Sequence, residues 1–441
     1  MMKRILFIFA WTLIGVAPAH AALHIQSWTL ANGAKVLFVE NHSIPILDVS
    51  VEFDAGSRRD PQGKSGMAAL TNAMLARGVH EASTPVAEPA MTEAQISDAF
   101  ADIAAQRGGG AGSDRAGASL RMLSSAAERD AAVALLARVL AHPSFPENFL
   151  ARDKARMIAS IKEDETKPES IASKAFWKLL YGTHPYAEHE TVESVEAITR
   201  DDLVAFHTTH YVANQAVIAM IGDVTRAEAD KLAQQLTVRL PQGAPLPALP
   251  PVQIAPAREE RIPHPASQAH IFTGMPAIAR GDVDYFPLMV GNYTLGGGGF
   301  VSRLTREVRE KRGLSYSVYS YFNPLAQPGP FEAGLQTQKG QADEALKVVR
   351  DTIAAFLRDG PTSQELQAAK DNLIGGFALR IDNNKKILDN IAAIGFYKLP
   401  LDYLDTWTDK VGKVTIDDIK AAFQRKIALD KMSTVVVGVA K

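Results

Sequence analysis

Two side chains in the second half of the chain could stabilise negative charge on a substrate. Arg309 and Tyr316 lie seven residues apart in the segment LGGGGFVSRLTREVREKRGLSYSVYSYF. A phenol hydroxyl can donate a hydrogen bond to an oxygen that becomes negatively charged during a reaction, and a guanidinium offers planar donors that can hold a substrate carbonyl. Without further information, the same two residues also fit a solvated helix arginine and a half-buried strand tyrosine.

A run of four glycines, Gly296, Gly297, Gly298 and Gly299, stands just before these residues. Glycine loses more backbone freedom on ordering than other residues, so such a run favours neither helix nor strand. One interpretation is a flexible turn, and the other is a loop that contacts substrate. The residues alone leave both interpretations open.

The segment after the glycines has the pattern of a helix followed by a strand. Val301, Leu304 and Val308 are spaced to form one buried face of a helix. The stretch LSYSVYSYF then alternates as a strand does, which places Tyr316 on its apolar face. These two elements are expected to position the arginine and the phenol.

Histidine pairs are the other candidates for chemistry. His207 and His210 occur in HTTH, and His184 and His189 occur in THPYAEHE. Histidines three residues apart on a helix can chelate a metal, but we interpret these four as solvated or capping side chains and predict no metal in this chain. The absence of cysteine excludes disulfides, thiolate zinc sites and cysteine nucleophiles.

Composition indicates an ordinary globular protein. The chain has 441 residues, of which 46% are hydrophobic and 22% charged, and this length predicts two to four domains. Its 47 basic and 49 acidic residues leave no positive excess that could hold nucleic acid. We therefore expect no nucleic-acid partner.

The first residues have the pattern of an export signal. Lys3 and Arg4 precede an apolar run over residues 5–17, and a small-x-small site, Ala-His-Ala, follows. This pattern predicts a signal peptide over residues 1–21 that is cut before Ala22. A membrane anchor is the alternative, but 13 apolar residues are too few to span a bilayer. We expect an exported chain without a membrane span.

The two halves of the sequence repeat each other. Matching residues recur at one constant offset of 216, as in Leu150 and Leu366, Lys154 and Lys370, Ile158 and Ile374, Thr199 and Thr415, Asp202 and Asp418, and Gly222 and Gly438. Matches at a constant offset indicate a duplicated domain.

Proline separates the halves. Eight of the 24 prolines lie in residues 241–265, which predicts an extended, semi-rigid linker with little helix or strand. The predicted domains are therefore residues 22–240 and 266–441. In each domain strand-like runs precede long helical stretches and a β-branched strand comes last, which predicts an α+β fold with helices packed on a mostly antiparallel sheet.

Three segments resemble the pitrilysin/insulinase family of zinc metallopeptidases. They are VEFDAGSRRDPQGKSGMAALTNAMLARGV, GTHPYAEHETVESVEAITRDDLVAFHTTHYVANQAVIAMIGDV and LGGGGFVSRLTREVREKRGLSYSVYSYF. The chain is similar to the short, two-domain form of this family, which includes the mitochondrial processing peptidase subunits and their bacterial relatives. In related enzymes an Arg-x6-Tyr pair comes from a noncatalytic half or subunit, and Arg309 and Tyr316 match that spacing.

The resemblance also shows what this chain lacks. Active members carry HxxEH, in which two histidines on one helix face hold Zn²⁺ and the glutamate acts as general base. In GMAALTNAML the histidine positions are Ala69 and Ala73, and the base position is Asn72. A third ligand, a glutamate on a later helix, is replaced by Ser160. Methyl groups bind no metal, so zinc is expected only in a partner subunit and no cofactor is expected here.

The resemblance implies a division of labour between two chains. A homologous, exported HxxEH-bearing partner would supply zinc and base, and this chain would supply Arg309, Tyr316 and the glycine run, for hydrolysis of unfolded peptides in the periplasm. Extended peptide would add a strand to a sheet edge of the partner, because the glycines of residues 107–117 weaken the corresponding strand here. The alternative is a catalytically inactive peptide-binding or scaffold protein; a lone metallopeptidase conflicts with the two alanines.

Overall fold

The structure is a computed structural model that describes residues 23–82 and 87–439. The segment predicted as a signal peptide, residues 1–21, lies outside this part of the chain. Within residues 23–82 and 87–439, no helix is both long enough and apolar enough to cross a membrane.

The first half forms a six-stranded sheet with helices packed against it. Its strands are β1 Gln26–Thr29, β2 Lys35–Glu40, β3 Ile46–Phe53, β6 Gln106–Ala111, β7 Ala116–Leu123 and β8 Val217–Gly222, while β4 Gly78–Val79 and β5 Met91–Thr92 pair separately. Its helices are α1 Met67–Met74, α2 Glu93–Asp102, α3 Ala126–Ala141, α4 Glu147–Asp164, α5 Pro168–Tyr181, α6 Val192–Ala197, α7 Arg200–His210 and α8 Arg226–Thr237.

The second half forms a five-stranded sheet. Its strands are β9 Glu259–Pro263, β10 Gln268–Ile278, β11 Val318–Phe322, β12 Gly329–Gln338 and β13 Ser433–Val439. Its helices are α9 Tyr285–Asn292, α10 Ala342–Asp359, α11 Ser363–Gly375, α12 Asn384–Phe396, α13 Trp407–Lys413 and α14 Ile416–Lys426.

Both sheets share one strand order. The first runs β1-β2-β8-β3-β7-β6, and the second runs β9-β13-β10-β12-β11. In each sheet one parallel pair, β2 with β8 or β9 with β13, joins strands that are distant in sequence. The neighbouring pairs are antiparallel. The predicted α+β fold with two similar, mostly antiparallel halves is confirmed.

Strand β3 illustrates how the pattern of the sequence builds the core. Leu47, Val49, Val51 and Phe53 alternate along the strand, and all four are fully buried in one core that also includes α1. Successive side chains on a strand point to opposite faces, so every second residue meets the helices. Each such side chain stabilises the fold by about 1.5–3 kcal/mol relative to its exposed form.

The repeated threonine and aspartate have the same structural role in both halves. The carboxylate of Asp202 accepts the backbone N–H of Thr199 over 2.8 Å, and Thr199 caps α7 in return. Asp418 and Thr415 form the same reciprocal cap, with an N–H to carboxylate distance of 2.9 Å, at the start of α14. A capping box satisfies two backbone donors that the first turn of a helix leaves unpaired.

Each half covers the sheet of the other half with one helix. Helix α5, from the first half, packs on β10 and β13, where the rings of Phe176 and Phe272 have centroids 5.9 Å apart. Helix α12, from the second half, packs on β3 and β8. A Cβ on Gly395 of α12 would lie only 2.5 Å from Leu37 and 2.6 Å from Val217, so glycine is what allows this close approach. The two halves therefore share a packed interface.

The proline-rich segment differs in part from its prediction. Residues 241–258 contain no helix or strand, as expected, but Glu259–Pro263 forms strand β9 and pairs in parallel with β13. The physical reason is local, because residues 257–262 contain no proline and can donate to a ladder. Pro263 stands at the end of this edge strand, where a missing N–H is tolerated.

Candidate functional site

Helix α1 occupies the position of the zinc motif. It begins after Gly66, whose φ of +99° suits glycine. Asp60 caps it by accepting the backbone N–H groups of Gly66 and Ala68, each over 2.8 Å. Burial raises the pKa of Asp60 to about 7, against the effect of these backbone hydrogen bonds. The start of the helix is therefore anchored by a buried carboxyl group.

The motif positions on this helix differ in their surroundings. Ala73 is exposed and Ala69 is half-buried, and Ser160 on α4 is exposed as well. The side chain of Asn72 turns inward instead, where its amide donates to the carbonyl of Gly117 over 3.0 Å and to the hydroxyl of Tyr211 over 3.2 Å. The residue at the base position therefore fastens α1 to β7, which the sequence did not predict.

These residues do not fit a zinc ion. Zinc needs imidazole, thiolate or carboxylate ligands. Ala69 and Ala73 offer only methyl groups, and the amide of Asn72 is hydrogen-bonded to Gly117 and Tyr211. Among residues 23–82 and 87–439, no group of three or more histidine, aspartate or glutamate side chains could hold a metal. No catalytic step through a metal can be built from this chain's own residues at α1.

Three of the four histidines in these pairs, His184, His207 and His210, hydrogen-bond within the fold. His207 donates from Nε2 to the carbonyl of Leu140 over 2.8 Å, and His210 donates from Nδ1 to the carbonyl of Asp54 over 2.9 Å. Both are buried, so the prediction of solvated side chains is wrong for them. Burial lowers the pKa of His207 to about 4, which keeps it neutral. His184, in contrast, does cap a turn by accepting the N–H of Tyr186.

Arg309 and Tyr316 are not engaged with the rest of the protein by polar contacts. Tyr316 is 87% exposed. The guanidinium of Arg309 lies 4.8 Å from the centre of the Phe300 ring, which is a cation–π distance. In the part of the chain that the structure describes, neither side chain has a hydrogen bond or an ion pair, and none joins the two to each other. Both polar groups are therefore available to a ligand or a partner.

The elements around this pair differ from their prediction. The predicted helix is a π-helical turn over Thr305–Glu310, and Val301 is 66% exposed although Leu304 and Val308 are fully buried. The predicted strand begins only at Val318, so Tyr316 lies in the turn before it.

A serine explains why the strand begins late. The hydroxyl of Ser315 donates to the carbonyl of Ser317 over 2.6 Å and accepts the N–H of Ser317 over 3.1 Å. A side chain that bonds to nearby backbone in this way competes with the pairing of a strand. Tyr316 lies in that turn, before the paired residues of the strand.

The glycine run is mostly packed. Tyr293–Gly297 continues α9 as a π-helical turn, so the first two glycines are helical. A Cβ on Gly296 would lie 2.3 Å from the hydroxyl oxygen of Ser320, and one on Gly297 would lie 2.7 Å from the side-chain nitrogen of Asn292. Gly299 is the one glycine of this run at which a Cβ would meet open space, and its φ is +59°. The first glycines thus allow close packing on β11, and the last one allows a turn.

Strand β6 forms in spite of its glycines. It lies at the edge of the first sheet and pairs along Gln106–Ala111 with β7. A Cβ on Gly108 would lie 2.6 Å from the Ser119 hydroxyl, and one on Gly109 would lie 2.5 Å from the Gly117 carbonyl. These glycines therefore allow β7 to approach β6 closely. The expectation that they weaken this edge strand is not supported.

Sequence reasoning missed a buried carboxylate that joins the halves. Asp114 accepts hydrogen bonds from the hydroxyls of Tyr186 and Tyr397 over 2.6 and 2.9 Å, and it pairs with Arg58 over 2.8 Å. It also accepts the backbone N–H of Ala326 over 2.8 Å. Burial and the negative charge of Asp114 raise the pKa of both tyrosines, so they stay protonated as donors. No sequence pattern connects residues so distant in the chain.

Comparison with known proteins identifies the family. The family model described as the peptidase M16 inactive domain matches residues 197–373. A crystal structure of a peptidase M16 inactive domain from Pseudomonas fluorescens is 40% identical, with a TM-score of 0.89, and the match covers 95% of this chain and 98% of that chain.

Two curated relatives agree with this match. One, from Helicobacter pylori, is described as the non-peptidase homolog YmxG and is 25% identical over 92% of both chains. The other, described as an uncharacterized zinc protease of Streptomyces coelicolor, is 29% identical, and the match spans 61% of this chain but only 60% of that relative. The chain therefore belongs to the peptidase M16 family of pitrilysin-type proteins, in its noncatalytic form.

Proposed function

We propose that this chain is the non-zinc-binding subunit of a heterodimeric zinc peptidase. A homologous partner with an intact HxxEH motif would supply the metal and the general base, and this chain would supply Arg309 and Tyr316. The observation that carries the proposal is the contrast between two sites of one molecule. Helix α1 is kept and fastened by Asn72 without any metal ligand, whereas the guanidinium and the phenol have no polar partner among the residues that the structure describes.

The chemistry of the two side chains suits the proposed role. Hydrolysis of a peptide builds negative charge on the carbonyl oxygen, and a phenol that is 87% exposed can donate to it without breaking a hydrogen bond to any described residue of the protein. Arg309 is partly ordered by the ring of Phe300, so less side-chain entropy is lost when it grips a substrate carbonyl.

The substrate class follows from the same arrangement. A guanidinium and a phenol recognise main-chain carbonyl groups, which every peptide presents, and an unfolded peptide can extend along a free sheet edge. Strand β6 lies at such an edge of the first sheet. We therefore propose unfolded peptides as the substrate, with no side-chain preference implied by these two residues.

Reconstitution with an HxxEH-bearing partner tests the proposal. The chain alone should cleave no fluorogenic peptide, and the mixture should cleave it. Arg309→Gln and Tyr316→Phe should each lower kcat by ~100-fold, the effect of removing one oxyanion donor, with complex size by light scattering unchanged. Arg306→Gln, a change on the same turn at an arginine with only 3.6 and 3.8 Å ion pairs, is the matched control.

Two results would overturn this assignment. Cleavage by the lone chain that a chelator abolishes would place the metal here after all. Full turnover by both variants in an intact complex would instead favour the scaffold or peptide-binding role, in which the fold persists without catalytic residues.

The compartment is a separate part of the proposal. We infer that the chain works in the periplasm, on the strength of the basic start, the apolar run and the Ala-His-Ala site in residues 1–21. Fractionation of expressing cells should recover the chain with the periplasmic proteins, and its N-terminal sequence should begin at Ala22. Recovery in the cytoplasm with Met1 retained would contradict the inference.

A further inference from the structure

A cavity of about 430 Å³ lies in the second half, away from α1 and from Arg309. Four segments line it: the turn that contains Val283, the start of α9, the chain that leads into α13 with that helix itself, and the start of α14. Its size falls within the range of small-molecule sites, which is about 300–1,000 Å³.

The walls of this cavity are largely apolar and aromatic. The rings of Phe286 and Tyr403 face each other with centroids 6.0 Å apart, and Tyr285 packs edge-on against Phe286 at 5.3 Å. Leu399 adds a buried aliphatic surface, while Val283 is 89% exposed at the lining. Such walls favour the apolar part of a ligand over water.

Some of the charged side chains that line the cavity have hydrogen-bond or ion-pair partners within the fold, and others do not. Asp282 is paired with Lys426, and the carboxylate of Asp418 accepts the N–H and hydroxyl of Thr415 over 2.9 and 2.7 Å. Arg280 donates to the carbonyl of Pro324 over 2.9 Å and lies over the Tyr397 ring. The acidic groups and the arginine therefore already have partners within the fold.

Two lysines of the lining have no carboxylate partner among the described residues. Lys410 and Lys413 lie three residues apart on α13, which places them on neighbouring positions of one helix face. The ammonium of Lys410 is 5.6 Å from the centre of the Phe286 ring and 6.0 Å from that of Tyr403. Neither lysine has an ion pair or a side-chain hydrogen bond to the described residues, so the site presents free positive charge beside apolar walls.

We propose that this cavity binds an amphipathic carboxylate, with its apolar body against Phe286, Tyr403 and Leu399 and its carboxylate between Lys410 and Lys413. A carboxylate on an apolar body occurs in a free fatty acid and at the C-terminus of a peptide that ends in an apolar residue. The inference is independent of the proposed peptidase role, because it uses none of the residues assigned to catalysis.

Calorimetric titration of the full chain tests the proposal with matched probes. Decanoate should bind, and decanol, which has the same apolar chain without the charge, should bind at least tenfold more weakly. Lys410→Gln/Lys413→Gln should weaken decanoate binding at least tenfold. Lys162→Gln/Lys231→Gln changes two helix lysines elsewhere that form no ion pair with the described residues, and it should leave binding unchanged. Equal binding of decanol, or no effect of the first double variant, would overturn the proposal.

A second variant and a second probe complete the test. Val283→Asp places a negative charge at the exposed lining without disturbing a buried residue and should weaken decanoate binding, while Val283→Asn controls for polarity.

A pentapeptide ending in leucine, with a free or an amidated C-terminus, separates free fatty acids from peptide C-termini as the ligand. Binding of the free acid but not the amide assigns peptide ends to the site; binding of decanoate alone assigns it to free acids. Binding of neither decanoate nor the free-acid peptide would refute it.

Discussion

Tyr397, in the second half, donates a hydrogen bond from its hydroxyl to the carboxylate of Asp114, in the first half, over 2.9 Å. The same carboxylate holds Tyr186 and the guanidinium of Arg58. Asp114 is 3% exposed, so these contacts are made in a low-dielectric setting where an unpaired partner is costly. One buried carboxylate thus bonds to residues of both halves.

Removal of this charge should destabilise the whole chain. Asp114→Asn leaves the buried Arg58 without its full partner, so the free energy of unfolding should fall by about 3 kcal/mol. Tyr397→Phe removes one hydrogen bond and should cost about 1 kcal/mol. Urea denaturation followed by circular dichroism measures both. Tyr316→Phe, at an exposed tyrosine, serves as the control, and equal stability of Asp114→Asn and this control would contradict the prediction.

Asn72 should be needed for folding and not for chemistry. In Asn72→Asp a carboxylate oxygen would face the carbonyl of Gly117, where the amide now donates over 3.0 Å. Burial of that charge against an acceptor should lower stability by about 2–3 kcal/mol. Thermal denaturation at pH 7 checks this, with Ala73→Ser on the exposed side of α1 as control. An unchanged midpoint for Asn72→Asp would show that the hydrogen bond to Gly117 contributes little.

Gly296 should not tolerate a methyl group. A Cβ there would lie 2.3 Å from the Ser320 hydroxyl and 2.6 Å from the Ser320 nitrogen, so β11 would have to move. Gly296→Ala should therefore destabilise the chain by about 1–3 kcal/mol. Gly340→Ala, where a Cβ meets open space, is the matched control. If both variants unfold at the same urea concentration, the close packing of the glycine run is disproved.

Glu332 should make stability depend on pH. Burial raises the pKa of this carboxyl to about 7 from an ordinary 4.5, although the Tyr321 hydroxyl donates to it over 2.9 Å. The folded state holds the proton more tightly, so its stabilising effect is complete below pH 4.5 and is lost as the pH rises to 7. The loss amounts to about 3 kcal/mol. Glu332→Gln should reduce this slope in urea titrations between pH 4.5 and 7, and the slope that remains belongs to groups such as Asp60, whose pKa is also raised to about 7. An identical slope in Glu332→Gln would contradict the assignment.

The strands were predictable where local pattern and tertiary context agree. The β-branched runs predicted as strands form β8 over Val217–Gly222 and β13 over Ser433–Val439, because such residues fit a pleated, buried surface. The loss of the zinc ligands was also readable, since it depends only on which residues occupy α1.

Other features were not predictable because distant contacts decide them. The glycines of β6 disfavour a strand locally, yet pairing with β7 forms one, since only glycine fits against Gly117 and Ser119. Likewise the turn at Ser315 depends on one hydroxyl, which hydrogen-bonds to the backbone of Ser317 and so competes with strand pairing there. Alternation in the sequence cannot distinguish these outcomes.

The helices that cross between the halves also constrain how the molecule could be divided. Because α5 completes the sheet of the second half and α12 completes that of the first, neither half is a self-sufficient module despite the internal repeat. We therefore expect the two fragments left by a cut in residues 242–255 to stay associated through these helices. The internal repeat therefore consists of two halves that each depend on a helix of the other half.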